Sequence, residues 1–204
     1  MKIVFDFAGV LFRWQPAAML QREIPHLAHD EASALHWVEQ IFQGYAGDWG
    51  DFDRGTVGAA ALVKRISRRA GLAASDVQRI VDAVPHELQP VADTVALLRR
   101  LRDSGRELYF LSNMPAPYAD HLQARHDFVG WFRDGVFSAR VHANKPEAAI
   151  FEIAAARFGA APGELVFIDD HLPNVLAAQA LGWNALQFSS AAQVEVELRE
   201  QGWA

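Results

Sequence analysis

The feature that most constrains this chain is a set of short apolar, β-branched runs, each stopping abruptly at a polar or glycine-containing turn. Residues 2–7 read KIVFDF and are ended by Gly9. Residues 107–112 (ELYFLS), 165–169 (LVFID) and 185–188 (ALQF) have the same character, and 135–138 form a weaker fifth run. Runs this short and this apolar fit strands covered on both faces, as in a parallel sheet. Helical patterns lie between them. Asp93 is placed to cap a helix carrying Val95, Leu98 and Leu101, closed by Gly105. Pro146 suits the first position of a helix through Ile150, Ile153 and Phe158, closed by Gly159. Pro173 opens another through Val175, Leu176 and Leu181, closed by Gly182. Strands alternating with helices of this length imply an α/β fold with crossover connections.

The alternation fails once, from Trp14 to about Glu87. That stretch shows no convincing strand. Helical patterns run over 16–24, 30–43, 57–70 and 75–84, separated by turn signals at Gly47, Gly50 and Asp53-Arg54-Gly55. A helical subdomain inserted after the first strand accounts for this. The expected division is a core of residues 1–13 and 88–204 and a helical cap of 14–87. A length of 204 residues, more than one average domain and less than two, fits a single core carrying an insertion.

Composition removes several classes of function. There are no cysteines, so thiol nucleophiles, disulfides and Cys-based metal sites are excluded. The formal net charge is −6 and no basic block occurs, which argues against a nucleic-acid partner. No apolar run approaches the ~18–20 residues of a membrane span. The start, MKIVFDFAGVLF, lacks the layout of a signal peptide, so a cytoplasmic location is the expectation. The eight histidines have no metal-ligand spacing.

The polar residues at the strand ends carry the chemical interest. Ligands of open α/β sheets bind outside the C-terminal ends of the strands. Asp6 lies at such an end, and a turn-capping aspartate is the alternative for that segment alone. Ser112 and Asn113 end the second long run; a hydroxyl followed by a backbone N–H suits an anionic oxygen, although an ordinary turn looks the same. Lys145 precedes a proline-initiated helix. Asp169 and Asp170 end the third run, and one helix cap explains one of them but not both. Adjacent carboxylates at a buried edge are costly unless a cation or hydrogen bonds compensate, and hard oxygen ligands suit Mg²⁺. Taken together, these groups form a set that chance does not readily assemble.

At these residues the chain resembles the haloacid dehalogenase-like (HAD) hydrolase superfamily. Four motifs match in order: VFDFAGVLF (residues 4–12), LYFLSN (108–113), NKPEAAIF (144–151) and VFIDDHLPNVLAA (166–178). The helical stretch falls where that family places its C1-type cap. FDRGTV (52–57) and DDHLPN look most like the branch that includes alpha-D-glucose-1-phosphate phosphatase. The resemblance implies a Rossmann-like core of sheet order 5-4-1-2-3. It also implies a Mg²⁺-dependent phosphatase acting on a small phosphorylated metabolite, a sugar phosphate being one candidate. Asp6 would be the nucleophile and form an aspartyl-phosphate. Ser112 and Lys145 would hold the phosphoryl oxygens, with Asn113 and His171 also near substrate. Mg²⁺ would be held by Asp6, the backbone carbonyl of Ala8, Asp169 and Asp170. A monomer or homodimer is expected.

One position departs from the family pattern. Its phosphatases carry a second Asp two residues after the nucleophile, which protonates the leaving oxygen and activates water. Here that place is Ala8. General acid–base groups contribute typically ~10²–10⁴-fold in rate. A compensating group in the cap is one answer, with His36, Asp48, Asp51 and Asp53 as candidates. A metal-independent 2-haloacid dehalogenase also lacks that Asp, but such enzymes usually lack the acidic pair of the fourth motif. A non-catalytic phospholigand-binding module is a third reading, and it has no need of a nucleophile. In the cap, Trp14, Trp37 and Trp49 are candidates for packing or for lining a pocket. Arg13 is expected in a hinge ion pair, and Asn174, one turn beyond Asp170, in support of the metal.

Overall fold

A computed structural model describes residues 1–203. Five parallel strands form its sheet: β1 (Lys2–Phe5), β2 (Glu107–Ser112), β3 (Asp134–Phe137), β4 (Leu165–Asp169) and β5 (Asn184–Gln187). Their spatial order is β3-β2-β1-β4-β5, the expected order read from the other edge. Each is a run singled out by its apolar character, shifted by no more than two residues at either end. β1 and β4 sit inside the sheet, and β4 is buried throughout.

Side chains alternate between the two faces, as strand geometry requires. Ile3, Phe5, Leu108, Phe110, Val166 and Ile168 join one apolar cluster. Val4, Tyr109, Leu111, Leu165 and Phe167 join the other. Helices cover both faces.

Between β1 and β2 come α1 (Pro16–Glu23), α2 (Glu31–Phe42), α3 (Gly47–Asp53), α4 (Ala59–Ala70), α5 (Ala74–Glu87) and α6 (Ala92–Asp103). α1, α2, α4 and α5 are the helices expected from periodicity. Asp30 caps α2: its carboxylate accepts from the Ser33 N–H at 2.8 Å, and Ser33 Oγ accepts from the Asp30 N–H at 3.0 Å. α3 differs from expectation, since turns were read there. Two glycines and three aspartates disfavour a helix in isolation, and contacts from the core overcome that preference. Asn144 Nδ2 donates to the Gly50 carbonyl at 2.8 Å, and Ser138 Oγ donates to the Asp53 carbonyl at 2.5 Å. Asp93 does not cap α6; it lies inside the first turn, with extended Val91 at the cap position.

The rest of the core follows the β–α alternation: α7 (Ala116–Arg125), the short α8 (Ser138–Val141), α9 (Ala148–Phe158), α10 (Leu172–Ala180) and α11 (Ala191–Glu200). α9 begins two residues later than Pro146 suggests. Glu147 stays extended as its cap residue, and its side chain pairs with Arg54. The two chain segments that enter and leave the inserted helices pair with each other. The Arg13 N–H donates to Gln89 O at 2.8 Å and the Val91 N–H to Leu11 O at 2.9 Å. The Arg13 side chain is exposed and forms no ion pair among the described residues, so the expected hinge pair is replaced by backbone bonding. No helix among the described residues is long and apolar enough to cross a membrane.

Candidate active site

The C-terminal ends of β1, β2 and β4 bring the singled-out residues together. Asp6 directly follows β1, and its N–H donates to Ile168 O on β4 at 2.9 Å. Asp6 Oδ1 accepts from the Phe7 N–H at 2.7 Å and lies 3.0 Å from Lys145 Nζ. Oδ2 has no protein donor among the described residues. Phe7 fixes this turn from below. Its ring packs against Phe12, Phe110, Phe132 and Phe137, with centroid distances of 4.8–6.1 Å.

Lys145 is buried and bridges two carboxylates. Its Nζ donates to Asp169 Oδ2 at 2.6 Å as well as meeting Asp6. Burial alone pulls an ammonium pKa down, but here Asp169 and Asp6 outweigh it and hold Lys145 above its ordinary value. The loop carrying this lysine is held by Asn113. Asn113 Nδ2 donates to Lys145 O at 2.9 Å, and Asn113 Oδ1 accepts from the Lys145 N–H at 2.8 Å. The Asn113 side chain is thus committed to positioning Lys145.

The acidic pair divides into two roles. Asp169 is fully buried and fully engaged. It accepts from Lys145, from Asn174 Nδ2 at 3.0 and 3.2 Å, and from the His171 N–H at 2.8 Å. Asp170 faces the cavity, and its carboxylate rests against Gly9. A Cβ at Gly9 would lie 2.3 Å from Asp170 Oδ2, and Gly9 has φ +83°, so only glycine fits that turn. Asp6, Asp169 and Asp170 each offer a carboxylate oxygen within 4.8 Å of one another. Burial raises the Asp6 pKa to about 7; Lys145 lowers it, and Asp169 and Asp170 add to the rise. Burial, then Asp169, raises Asp170 in the same direction. Several carboxylates sharing one ammonium leave an excess of negative charge. The cluster therefore fits a hard divalent cation, which would remove that excess.

A cavity of ≈ 480 Å³ opens above this cluster. Asp6, Ala8, Asn113, Lys145, Asp170, His171 and Asn174 form its floor and rim. The inserted helices and the start of α7 add Trp14, Tyr45, Trp49, Val84, Leu88, Met114 and Tyr118, a largely apolar wall. Trp14 Nε1 donates to Tyr45 Oη at 2.7 Å, and the Tyr45 ring stands edge-on to His171. These two rings frame the mouth.

A family model described as haloacid dehalogenase-like hydrolase matches residues 3–182. The chain belongs to the haloacid dehalogenase-like hydrolases. Among HAD-like relatives, a sesquiterpene phosphatase of Aspergillus oryzae is 28% identical over 97% of this chain and 94% of its own length. An (S)-2-haloacid dehalogenase of Pseudomonas fluorescens is 26% identical over 88% of this chain and 80% of its own. A HAD-family enzyme of Bacteroides thetaiotaomicron, solved with magnesium and inorganic phosphate, superposes with a TM-score of 0.73 at 22% identity, covering 93% of this chain and 94% of that one. That last likeness establishes the HAD fold.

The residues expected at the HAD site fall in three groups. Asp6, Ala8, Asn113, Lys145, Asp170 and His171 line the cavity, and Asp169 and Asn174 brace it. Ser112 ends β2 fully buried, is not one of the lining side chains, and has a hydroxyl with no hydrogen-bond partner. Among the cap candidates, His36 is exposed on α2 against Trp37, away from the cavity. Asp48 is paired with Arg69 at 2.8 Å and Asp51 with Arg65 at 2.9 Å. Asp53 alone is both buried and in the cavity. Trp14 and Trp49 line the cavity and Trp37 does not. Beyond Trp14 and Trp49, the apolar wall was not foreseen. Its members sit on four separate segments, and no spacing links them.

Proposed function

We propose that this hydrolase is a Mg²⁺-dependent phosphatase acting on the phosphate monoester of a small alcohol, through an aspartyl-phosphate on Asp6. The observation that carries the reading is Asp6 itself. One of its oxygens is held by Phe7 and Lys145, and the other is left free at a cavity floor rich in carboxylates. That free oxygen can attack phosphorus while the bound one keeps the carboxylate oriented. A covalent intermediate splits one difficult displacement into two.

Lys145 lies against the nucleophile and can neutralise charge on the phosphoryl oxygens as it develops. Asp6, Asp170 and the Ala8 carbonyl would hold Mg²⁺, with Asp169 held behind them by Lys145 and Asn174. When bound, Mg²⁺ supplies Lewis-acid neutralisation of the phosphoryl group. The apolar part of the wall, from Trp14, Trp49, Val84, Leu88 and Met114, fits an alcohol with a hydrocarbon body. The sesquiterpene phosphatase relative supports that choice.

Hydrolytic dehalogenation is a second reading, favoured by Ala8 and by the dehalogenase relatives. The carboxylate excess around Lys145 counts against it, because a metal-free anion site has no need of three acids. The test is a panel of an isoprenyl monophosphate, a hexose 1-phosphate, an aryl phosphate and a 2-haloacid, each with and without Mg²⁺. Metal-dependent phosphate release, greatest for the isoprenyl ester and abolished in Asp6→Asn, is expected. Halide release without metal would replace this reading with the second.

A further inference from the structure

We propose that Asp53, carried on the inserted helix α3, is the proton donor and acceptor that the position of Ala8 does not provide. The inference rests on the phosphatase reading and assigns the step that reading leaves open.

Three observations support it. First, Asp53 shares the cavity with Asp6, Ala8 and Lys145 while being only 4% exposed. Second, its carboxyl takes part in no hydrogen bond or ion pair among the described residues. The other two acids of α3 are tied to Arg69 and Arg65. Neither carboxyl oxygen is among the fully enclosed atoms that lack a partner, so the group opens onto the cavity rather than into packed protein. Third, everything that anchors this turn acts through groups other than the Asp53 side chain. Ser138 Oγ bonds the Asp53 carbonyl, Asn144 bonds the Gly50 carbonyl, and Arg54 pairs with Glu147 and with His142 O. Gly55 lies so close to α8 that a Cβ there would come within 2.7 Å of Ala139 O. The core loops flanking Lys145 therefore hold the turn in place, and the Asp53 carboxyl is left free for substrate. Burial keeps that carboxyl well above its usual pKa; Lys145 opposes the shift and Asp6 adds to it. An acid in the resting state is what the first step needs.

In that step an Asp6 oxygen bonds to phosphorus, the bond from phosphorus to the leaving oxygen breaks, and that oxygen takes the Asp53 proton. The products are the free alcohol, the aspartyl-phosphate and an Asp53 carboxylate. In the second step the Asp53 carboxylate takes a proton from water as the water oxygen bonds to phosphorus. The bond from phosphorus to Asp6 breaks, which releases hydrogen phosphate and restores both residues.

The experiment compares an alkyl phosphate with p-nitrophenyl phosphate, whose leaving group needs no proton. In Asp53→Asn, kcat/KM for the alkyl ester should fall ~10²–10⁴-fold. For the aryl ester it should fall far less, with a stoichiometric burst of p-nitrophenolate as the aspartyl-phosphate accumulates. Ala8→Asp should restore alkyl-phosphate turnover to Asp53→Asn. Equal losses for the two esters, or none, would overturn the proposal. So would a large gain for the alkyl ester from Ala8→Asp alone, because it would mean the site has no proton donor. A wild type that releases no phosphate from any ester defeats the phosphatase reading itself. A wild type that turns over, with Asp53→Asn unaffected, defeats only the role of Asp53.

Discussion

At the scale of single residues, this site concentrates acids that burial would rather keep neutral. Asp6 is the clearest case, held at about 7 mainly by desolvation. Asp53 and Asp170 are shifted the same way. An unfolded aspartate titrates near 3.8. Between that value and 7 the folded, metal-free protein binds protons that the unfolded chain has already lost. These acids make stability fall as pH rises through this window, and His126, whose pKa burial lowers, opposes them only in its upper part. The carboxylates with lowered pKa, such as Asp30, Asp134 and Glu147, complete their titration below it and do not reverse the slope. In chelator, the melting temperature is expected to be lower at pH 8 than at pH 6, as read by circular dichroism. A rise over that interval would mean that these acids are ionised at no cost in the fold.

At the scale of elements, α3 and the turn after it matter most. The segment is short and carries residues that local propensity assigns to turns, so periodicity did not reveal it as a helix. Its stability comes from the core, through Asn144, Ser138 and the Arg54–Glu147 pair. Gly55 is where the turn presses against core backbone. It has φ +75°, and its Cα faces the backbone of Ala139. Gly55→Ala is expected to cost about 1–2 kcal/mol for the left-handed backbone alone, with the clash in addition. Because the displaced turn carries Asp53, activity toward alkyl phosphates should fall more than stability at assay temperature explains. Urea unfolding alongside alkyl- and aryl-phosphate kinetics checks both parts. The strands contrast with α3. β1, β2 and β4 were legible because an interior strand covered on both faces is apolar over most of its length, whereas the edge strands β3 (DGVF) and β5 (NALQ) carry a weaker signal.

For the whole molecule, the inserted helices and the sheet are not separate bodies of apolar packing. Met19, Leu20, Ile66 and Val81 belong to the same buried cluster as Ile3, Phe5 and Phe110. The cavity lies at the junction of the two parts and takes its acids from the core and its apolar wall chiefly from the insertion. A divalent cation that binds only this assembled site stabilises the whole fold by mass action, by about 2.7 kcal/mol at a hundredfold excess over Kd. Mg²⁺ is therefore expected to raise the melting temperature of the chelated protein, and Asp170→Asn to abolish most of that rise. Scanning calorimetry with and without Mg²⁺ measures both. An unchanged shift in Asp170→Asn would place the cation elsewhere.

The sequence by itself determined the sheet, the interruption after its first strand and the positions of the polar residues at the strand ends. Those features are local: a covered strand needs a continuous apolar run, and a strand end is visible where that run stops. Tertiary structure decided what the local pattern leaves degenerate. It divided Asp169 from Asp170, giving one to Lys145 and Asn174 and the other to the cavity. It turned Asn113 toward the Lys145 backbone and left Ser112 buried without a partner. It also placed Asp53, alone among the four cap candidates, in a buried position at the cavity. Each of these outcomes depends on contacts between residues far apart in the chain, where burial and pairing, rather than propensity or spacing, set the energy.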